Sequence, residues 1–441
     1  MKDDPIEALR TGVSLLEPTR PIGRITAIEA ARIAVEGLPR SARLGDRVRV
    51  VGTDPVEGEI IALRGTEATI LPDGPVSQAR IRDAVELLGP DRFAPSDDWL
   101  GRVIDPFGSP LDGRQLRQGP EGRPVRAHPP PAASRRRLGE RLRTGLAVFD
   151  TMLPLVQGQR VGLFAGSGVG KSSLLARFAK GIAADVVVIA LIGERGREVR
   201  EFVEETLGPE GMARAVVVAA TSDRPALVRR RCAWAAMAVA EHFRDSGRQV
   251  LLLADSVTRF AEAHREVALA AGESAALRGY PPSTAHEIMA LAERAGPGDR
   301  LGRSGDITAV FSVLVAGSDM DEPVADILRG TLDGHIVLDR DIAERGRYPA
   351  IDLLRSVSRS LPRAATAPQN VLIAEARSLL GAYSRAELMV RAGLYSTGSD
   401  PVTDRAITLQ GSLDAFMAED SNSPDAAFAR LAEILSGPNP G

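Results

Sequence analysis

The chain is short of lysine. It holds 55 Lys+Arg residues among 441, and only Lys2, Lys171 and Lys180 are lysine. Arginine occupies nearly every other basic position, so each retained lysine asks for a chemical reason. Cysteine is scarcer still, with Cys232 the only one. That excludes a disulfide within the chain and favours a reducing, cytosolic compartment. Cys232 stands beside Ala233 and Trp234 and reads as a small core residue rather than a nucleophile. Aromatic residues make up 4% of the chain, and the formal net charge is −3. Neither a base-stacking surface nor an electrostatic footprint for nucleic acid is expected from those values. No apolar run reaches the roughly 20 residues needed to cross a bilayer. The N-terminal MKDDPIEALR is acidic and lacks the apolar h-region of a signal peptide. Any membrane association is therefore expected to be peripheral, through partners.

What is present suits a multidomain globular chain. A length of 441 residues allows two or three domains, and 44% hydrophobic content supports a sizeable core. Ile6, Leu9, Val13 and Leu16 have helical spacing, so residues 1–21 read as a helical leader, either frayed or partner-binding. Across 22–92 short β-branched runs alternate with glycine and aspartate: RITAIEAARIAVEGL, DRVRVVGTD, GEIIALRG, EATILPDG. These predict a small β-barrel or sandwich. Residues 93–143 read as a linker leading to the next domain. Its proline-rich stretch around Pro129–Pro131 precedes Arg135, Arg136 and Arg137, which read as a solvated linker rather than a nucleic-acid patch. From 144 to 366 the apolar runs VGLFAG, VVVIALIG, VVVAATS, VLLLAD and ITAVFSVLVAG alternate with helical stretches such as Ala226–Arg244. That alternation predicts a mainly parallel sheet covered on both faces. Residues 367–441 lose the strands and read as helices: QNVLIAEARSLLGAY, SRAELMVRAG and SPDAAFARLAEILS.

The retained Lys171 sits in the strongest local signal. An apolar strand runs into Gly166, Ser167, Gly168, Val169, Gly170, Lys171, Ser172 and Ser173, and then into a helix carrying Leu174, Leu175 and Phe178. Strand, glycine-rich turn and helix start form the context of a phosphate-binding P-loop. Backbone N–H groups can turn inward on phosphate oxygens, and the helix N-terminus adds favourable charge. Lys171 would reach the β- and γ-phosphates, and the Ser172 hydroxyl would ligate magnesium. The general pattern has glycine where this chain has Ala165. Asp255 ends the apolar strand VLLLAD and is a candidate second group for magnesium. Glu194 follows VVVIALIG and could orient a water for attack on the γ-phosphate; its other reading is an ion-pair partner of Arg195 or Arg197.

In order along the chain, AGSGVGKS, IGERGREV, ADSVTRF, GYPPS, LDGHIVL, YPAID and SVSR resemble the ATPases of bacterial type III secretion. That group includes the flagellar export ATPase and the injectisome ATPases, and is related to the catalytic subunits of rotary F-type and V-type ATPases. GRVIDPFGSPLDG, taken as closing the barrel region, matches too. The resemblance runs from about Gly23 to the C-terminal helices. It implies an N-terminal β-barrel, a central RecA-like α/β ATPase domain and a C-terminal helical domain. It also implies hydrolysis of ATP with Mg2+ in a homo-hexamer. Ala165 is ordinary for that group. By resemblance Glu194 is the glutamate that polarises the attacking water; non-catalytic ring subunits carry glutamine there. Arg359 matches an arginine finger that enters the neighbouring subunit's site. Tyr348 matches an aromatic that packs on adenine. Arg195 and Arg259 match motif positions near the site, behind the direct contacts.

The resemblance weakens around 273–290, where this chain has GESAAL and TAHEIM beside GYPPS. His264 and His286 flank or lie in that stretch without partners at metal-ligand spacing, and read as surface or packing residues. Four functions are compatible with the residues: export ATPase, rotary catalytic subunit, nucleotide-gated scaffold and hexameric RNA translocase. Glu194 and Arg359 together disfavour the scaffold, because binding alone needs neither. The export reading, flagellar in preference to injectisome, implies several partners. They are identical subunits, a regulatory stator-like protein at the leader, a central stalk coiled coil, export gate membrane proteins and chaperone-substrate complexes, with no nucleic acid. It places the protein in the cytoplasm, held peripherally at the inner membrane.

Overall fold

The computed structural model describes residues 20–437 apart from 30–31, 301, 303 and 316–319. The expected leader helix over 1–21 falls almost wholly outside the described residues.

The β-branched runs after residue 21 form six strands: β1 (Ile22–Glu29), β2 (Arg32–Glu36), β3 (Arg47–Val50), β4 (Val56–Arg64), β5 (Glu67–Pro72) and β6 (Ala84–Gly89). They close into an antiparallel barrel in the order β1-β2-β5-β4-β3-β6. Alternate residues point inward, so Ile25, Ile33, Val35, Val48, Ile60, Ile70 and Val85 make its core. β7 (Arg92–Phe93) leaves the barrel and pairs with β9 (Arg123–Pro124).

Between them lies β8 (Arg102–Ile104), and here the structure corrects the sequence reading. The segment GRVIDPFGSPLDG does not close the barrel. Its strand pairs in parallel with β12 (Ala215–Thr221) at the edge of the central sheet. A three-residue strand carries too little periodicity to reveal its partner. The triple arginine is also not a solvated linker. Arg135 donates to the Glu293 carbonyl at 2.6 Å, and Arg136 pairs with Asp306 at 2.6 Å. Arg137 alone stays exposed.

The central sheet is completed by β10 (Arg160–Ala165), β11 (Val186–Glu194), β13 (Val250–Asp255), β14 (Ile307–Leu314), β15 (Gly334–Leu338) and β16 (Val357–Ser358). Its order is β16-β15-β10-β14-β13-β11-β12-β8, parallel except for β16. β11 shows why the runs are continuously apolar. Val187, Ile189 and Leu191 enter the core on one face, while Val186, Val188, Ala190 and Ile192 enter the other. The principal helices are α1 (Lys171–Gly181), α2 (Ala226–Asp245), α3 (Val257–Ala270), α4 (Ser283–Arg294) and α5 (Pro323–Thr331). Cys232 is buried within α2, and burial pushes its thiol pKa upward.

The C-terminal helices are α6 (Ala367–Arg391), α7 (Pro401–Phe416) and α8 (Pro424–Leu435). Two of the expected helices fuse into α6, which is opened by a Thr366–Gln369 capping box. The sequence reading omitted α7. Its cap is legible, with the Asp400 side chain accepting from Val402 and Thr403 N–H and Pro401 following. Thr403, Ile407, Thr408 and Gly411 weaken its apparent propensity. These helices do not form a separate core. Phe416 and Phe428 share one apolar cluster with Phe149 and Phe178 of the sheet domain.

Candidate functional site

β10 ends at Ala165, which is fully buried and in register with Leu314 and Leu338. Its Cβ fits within the sheet and its backbone needs no left-handed turn, so alanine serves there. Glycine is needed shortly after it, at positions 168 and 170. Gly168 and Gly170 have φ of +77° and +86°. At Gly170 an added Cβ would also lie 3.1 Å from the Tyr348 ring. Gly170 is the N-cap of α1 and brings no side chain to satisfy the first helical N–H groups. Those groups border an open cavity of about 930 Å³. Its walls include Gly166, Ser167, Gly168, Lys171, Ser172 and Ser173 on one side. Glu194, Arg195 and Arg259 stand on another.

Lys171 leans across the carboxyl edge of the sheet. Its ammonium contacts Asp255 at the end of β13 and stands 3.9 Å from the Glu194 carboxylate at the end of β11. Asp255 is buried and accepts a 2.6 Å hydrogen bond from the Ser312 hydroxyl on β14. The neighbouring ends of β11 and β13, with Lys171 from α1, thus supply one charged centre, where open α/β sheets commonly bind ligands. Burial, together with the Asp255 charge, pushes the Glu194 carboxyl up to about 7, against the pull of Lys171. A carboxyl poised near neutrality can exchange protons with a bound water. A smaller chamber of about 130 Å³ borders Ser172, Glu194 and Asp255 together with Glu198 and Thr206.

Arg195 and Arg259 reach the cavity, but each is engaged locally. Arg195 pairs with Glu198 at 3.4 Å and Arg259 with Glu262 at 2.9 Å. Tyr348 borders a second cavity, of about 390 Å³, on the other side of the glycine-rich loop. Ser167, Gly168, Val169, Arg340 and Glu344 share that cavity with it. Arg359 reaches neither. It is exposed, and its guanidinium donates to the Arg329 carbonyl at 3.2 Å.

Several residues in or beside the site escaped the sequence reading. Ser312 sits mid-strand with no local signal. Arg278 and Tyr280 form part of the outer wall with Glu322. The motif GYPPS contained Tyr280, but nothing local to it indicates which wall it joins. Of the two histidines, His286 is exposed, as expected, whereas His264 is buried in a polar network.

The chain resembles known proteins over most of its length. The model of the ATP synthase alpha/beta family, nucleotide-binding domain, matches residues 145–358. That of the T3SS EscN ATPase C-terminal domain matches residues 365–434. The chain is 45% identical to the flagellum-specific ATP synthase of Caulobacter vibrioides over 98% of its length and 99% of the relative's. It is 44% identical to the SPI-2 type 3 secretion system ATPase of Salmonella typhimurium, over 86% of this chain and 87% of that one. The assembled ATPase EscN of enteropathogenic E. coli superposes with a TM-score of 0.88 at 37% identity. That match covers 94% of this chain and 100% of EscN. EscN in complex with its central stalk EscO gives a TM-score of 0.85 at 38% identity, with the same coverage.

Proposed function

The chain belongs to the family of flagellum-specific and type III secretion ATPases, and on that footing we propose that it hydrolyses ATP in a ring of identical subunits, expected to number six, to drive type III export, with flagellar components as the exported class. One observation carries the reading: Lys171, Glu194 and Asp255 converge at the carboxyl edge of the sheet, beside a helix N-terminus that opens on a large cavity.

In this reading the N–H groups of Gly166–Ser173 and the Lys171 ammonium hold the phosphates. Glu194 orients the attacking water and accepts its proton. Tyr348 packs against the base on the far side of the loop. Arg195 and Arg259 support the γ-phosphate side from behind. The donor set fits a magnesium ion carried in with the nucleotide. The Ser172 hydroxyl and Asp255 carboxylate border one chamber, and the described residues hold no cluster of three acidic or imidazole groups that would bind a metal without phosphates. When bound, magnesium would neutralise phosphate charge. Arg359, exposed and outside both cavities of its own chain, is assigned to the neighbouring subunit's site.

EscN was solved assembled and with a stalk protein. By analogy we assign this chain a ring and a central coiled-coil stalk. The remaining partners proposed are a stator-like regulator at the leader, export gate proteins and chaperone-substrate complexes at the cytoplasmic face of the inner membrane. No helix among the described residues is long and apolar enough to cross a membrane itself.

Specific ATPase activity measured against protein concentration, with and without RNA, tests the reading. It should rise with concentration as rings assemble and ignore RNA. Constant specific activity would remove the shared site, and RNA stimulation would favour a translocase.

A further inference from the structure

The segment between α3 and α4 forms the outer wall of the nucleotide cavity, and its two ends are pinched together. The Glu273 carboxylate accepts from the Ser283 backbone N–H at 2.9 Å and from the Ser283 hydroxyl at 2.6 Å. Between these ends the chain turns through Arg278 and Gly279, both at positive φ, and Ala276 N–H donates to the Tyr280 carbonyl at 3.0 Å. Arg278 and Tyr280 face the cavity from this turn. The Arg265 guanidinium lies 5.2 Å from the Tyr280 ring centre.

His264 ties the pinch to α3. Its Nε2 lies 2.8 Å from the Ser283 hydroxyl oxygen. That hydroxyl has one proton, and it is directed to Glu273, so the hydroxyl must accept from His264. The imidazole is thereby fixed as the Nε2–H tautomer. Its Nδ1 lone pair faces the Arg230 guanidinium at 3.5 Å, a long contact. Arg230 is itself buried in α2 and reaches Glu59 on β4 of the barrel at 2.9 Å. A polar chain therefore runs from the barrel, through α2 and α3, to the cavity wall. The same helix α3 presents Thr258, Arg259 and Glu262 to the cavity.

We propose that His264 is a positioning residue for nucleotide binding, acting through Ser283 and Glu273 to hold the 273–283 segment where Arg278 and Tyr280 close the nucleotide cavity. This rests on the reading of that cavity as the nucleotide site. A neutral imidazole is required, because a second proton would place a cation against Arg230 and leave Nδ1–H without an acceptor. Burial already holds the ring neutral. Glutamine is the side chain closest in function, offering one donor and one acceptor from a single planar group.

The test is steady-state ATP hydrolysis by full-length His264→Phe, His264→Gln, Ser283→Ala and the double variant His264→Phe/Ser283→Ala, with melting temperature measured alongside. His264→Phe and Ser283→Ala should each raise KM for ATP by about tenfold, the equivalent of one lost buried hydrogen bond, with kcat changed less than about twofold. The double variant should be no worse than the worse single one, because both break the same chain. His264→Gln should return KM to within about twofold of wild type. Ser283→Ala keeps the test open should His264→Phe fail to fold. The proposal is overturned if KM stays at the wild-type value in folded Ser283→Ala, if the two effects multiply, or if His264→Gln behaves like His264→Phe. Failure of the site assignment itself reads differently: Lys171→Ala would then bind an ATP analogue as tightly as wild type.

Discussion

The Lys171 ammonium lies 3.9 Å from the Glu194 carboxylate and contacts Asp255, so one cation is shared by two acids from neighbouring strand ends. Removing any one member changes the charge seen by the other two. The consequences differ by residue.

Lys171→Ala leaves Glu194 and Asp255 facing each other without a cation. The only other lysine in α1 is Lys180, at the opposite end of the helix. Nucleotide affinity should fall by at least about tenfold, and turnover should be lost. Titration with a fluorescent ATP analogue beside a phosphate-release assay checks both. Near-normal turnover would remove the loop from the mechanism.

Glu194→Gln keeps the shape and removes the charge. ATP should bind with near wild-type affinity, while kcat falls by about 10²–10⁴. Loss of binding in parallel with turnover would instead assign Glu194 to holding Lys171 in place.

Gly170→Ala strains the loop twice. The position has φ +86°, and the new Cβ would sit 3.1 Å from the Tyr348 ring. The left-handed backbone costs roughly 1–2 kcal/mol in a non-glycine residue. Chemical denaturation should report that loss, and KM for ATP should rise because Tyr348 must shift. A variant as stable as wild type would show that the loop relaxes.

Arg359→Ala should fold, bind ATP and lose turnover by about 10³–10⁵, the range for a guanidinium delivered to the γ-phosphate. Mixing it with Glu194→Gln should restore activity, since some interfaces then pair an intact Glu194 with an intact Arg359. Mixed rings that form and remain inactive would return Arg359 to its contact with the Arg329 carbonyl.

His264 makes stability depend on pH. Burial, then the Arg230 charge, lowers its pKa to about 4, with Arg126 also opposing the proton and Glu273 and Glu59 favouring it. Unfolding restores a value of about 6.5. The unfolded chain therefore binds the extra proton first, and folded stability is lost as pH falls from about 6.5 to about 4. Relative to His264→Gln, wild type should lose on the order of 2 kcal/mol across that window. Denaturant melts of both proteins at pH 7, 5.5 and 4.5 check it. Parallel curves would mean that the imidazole titrates in the folded state as it does in solvent.

The strand, glycine-rich loop and helix start around Lys171 were legible in the sequence because their signal is local. Strand, glycines, Lys171 and helix start lie within some twenty consecutive residues, and backbone sterics confine such a segment to few conformations. The barrel and the parallel sheet were legible for a related reason, since their apolar periods are written along each strand. Asp255 and Glu194 could be singled out as strand-end acids. What the sequence alone could not decide was every relationship between distant segments. β8 joins the sheet through partners more than a hundred residues away. Arg135 and Arg136 are fixed by Glu293 and Asp306, and α7 is held by packing that offsets its weak propensity. Ser312 meets Asp255, and His264 meets Ser283, only because strands and helices pack side by side. Such contacts depend on which faces are buried together, a property of the whole folded chain that no short window of residues contains.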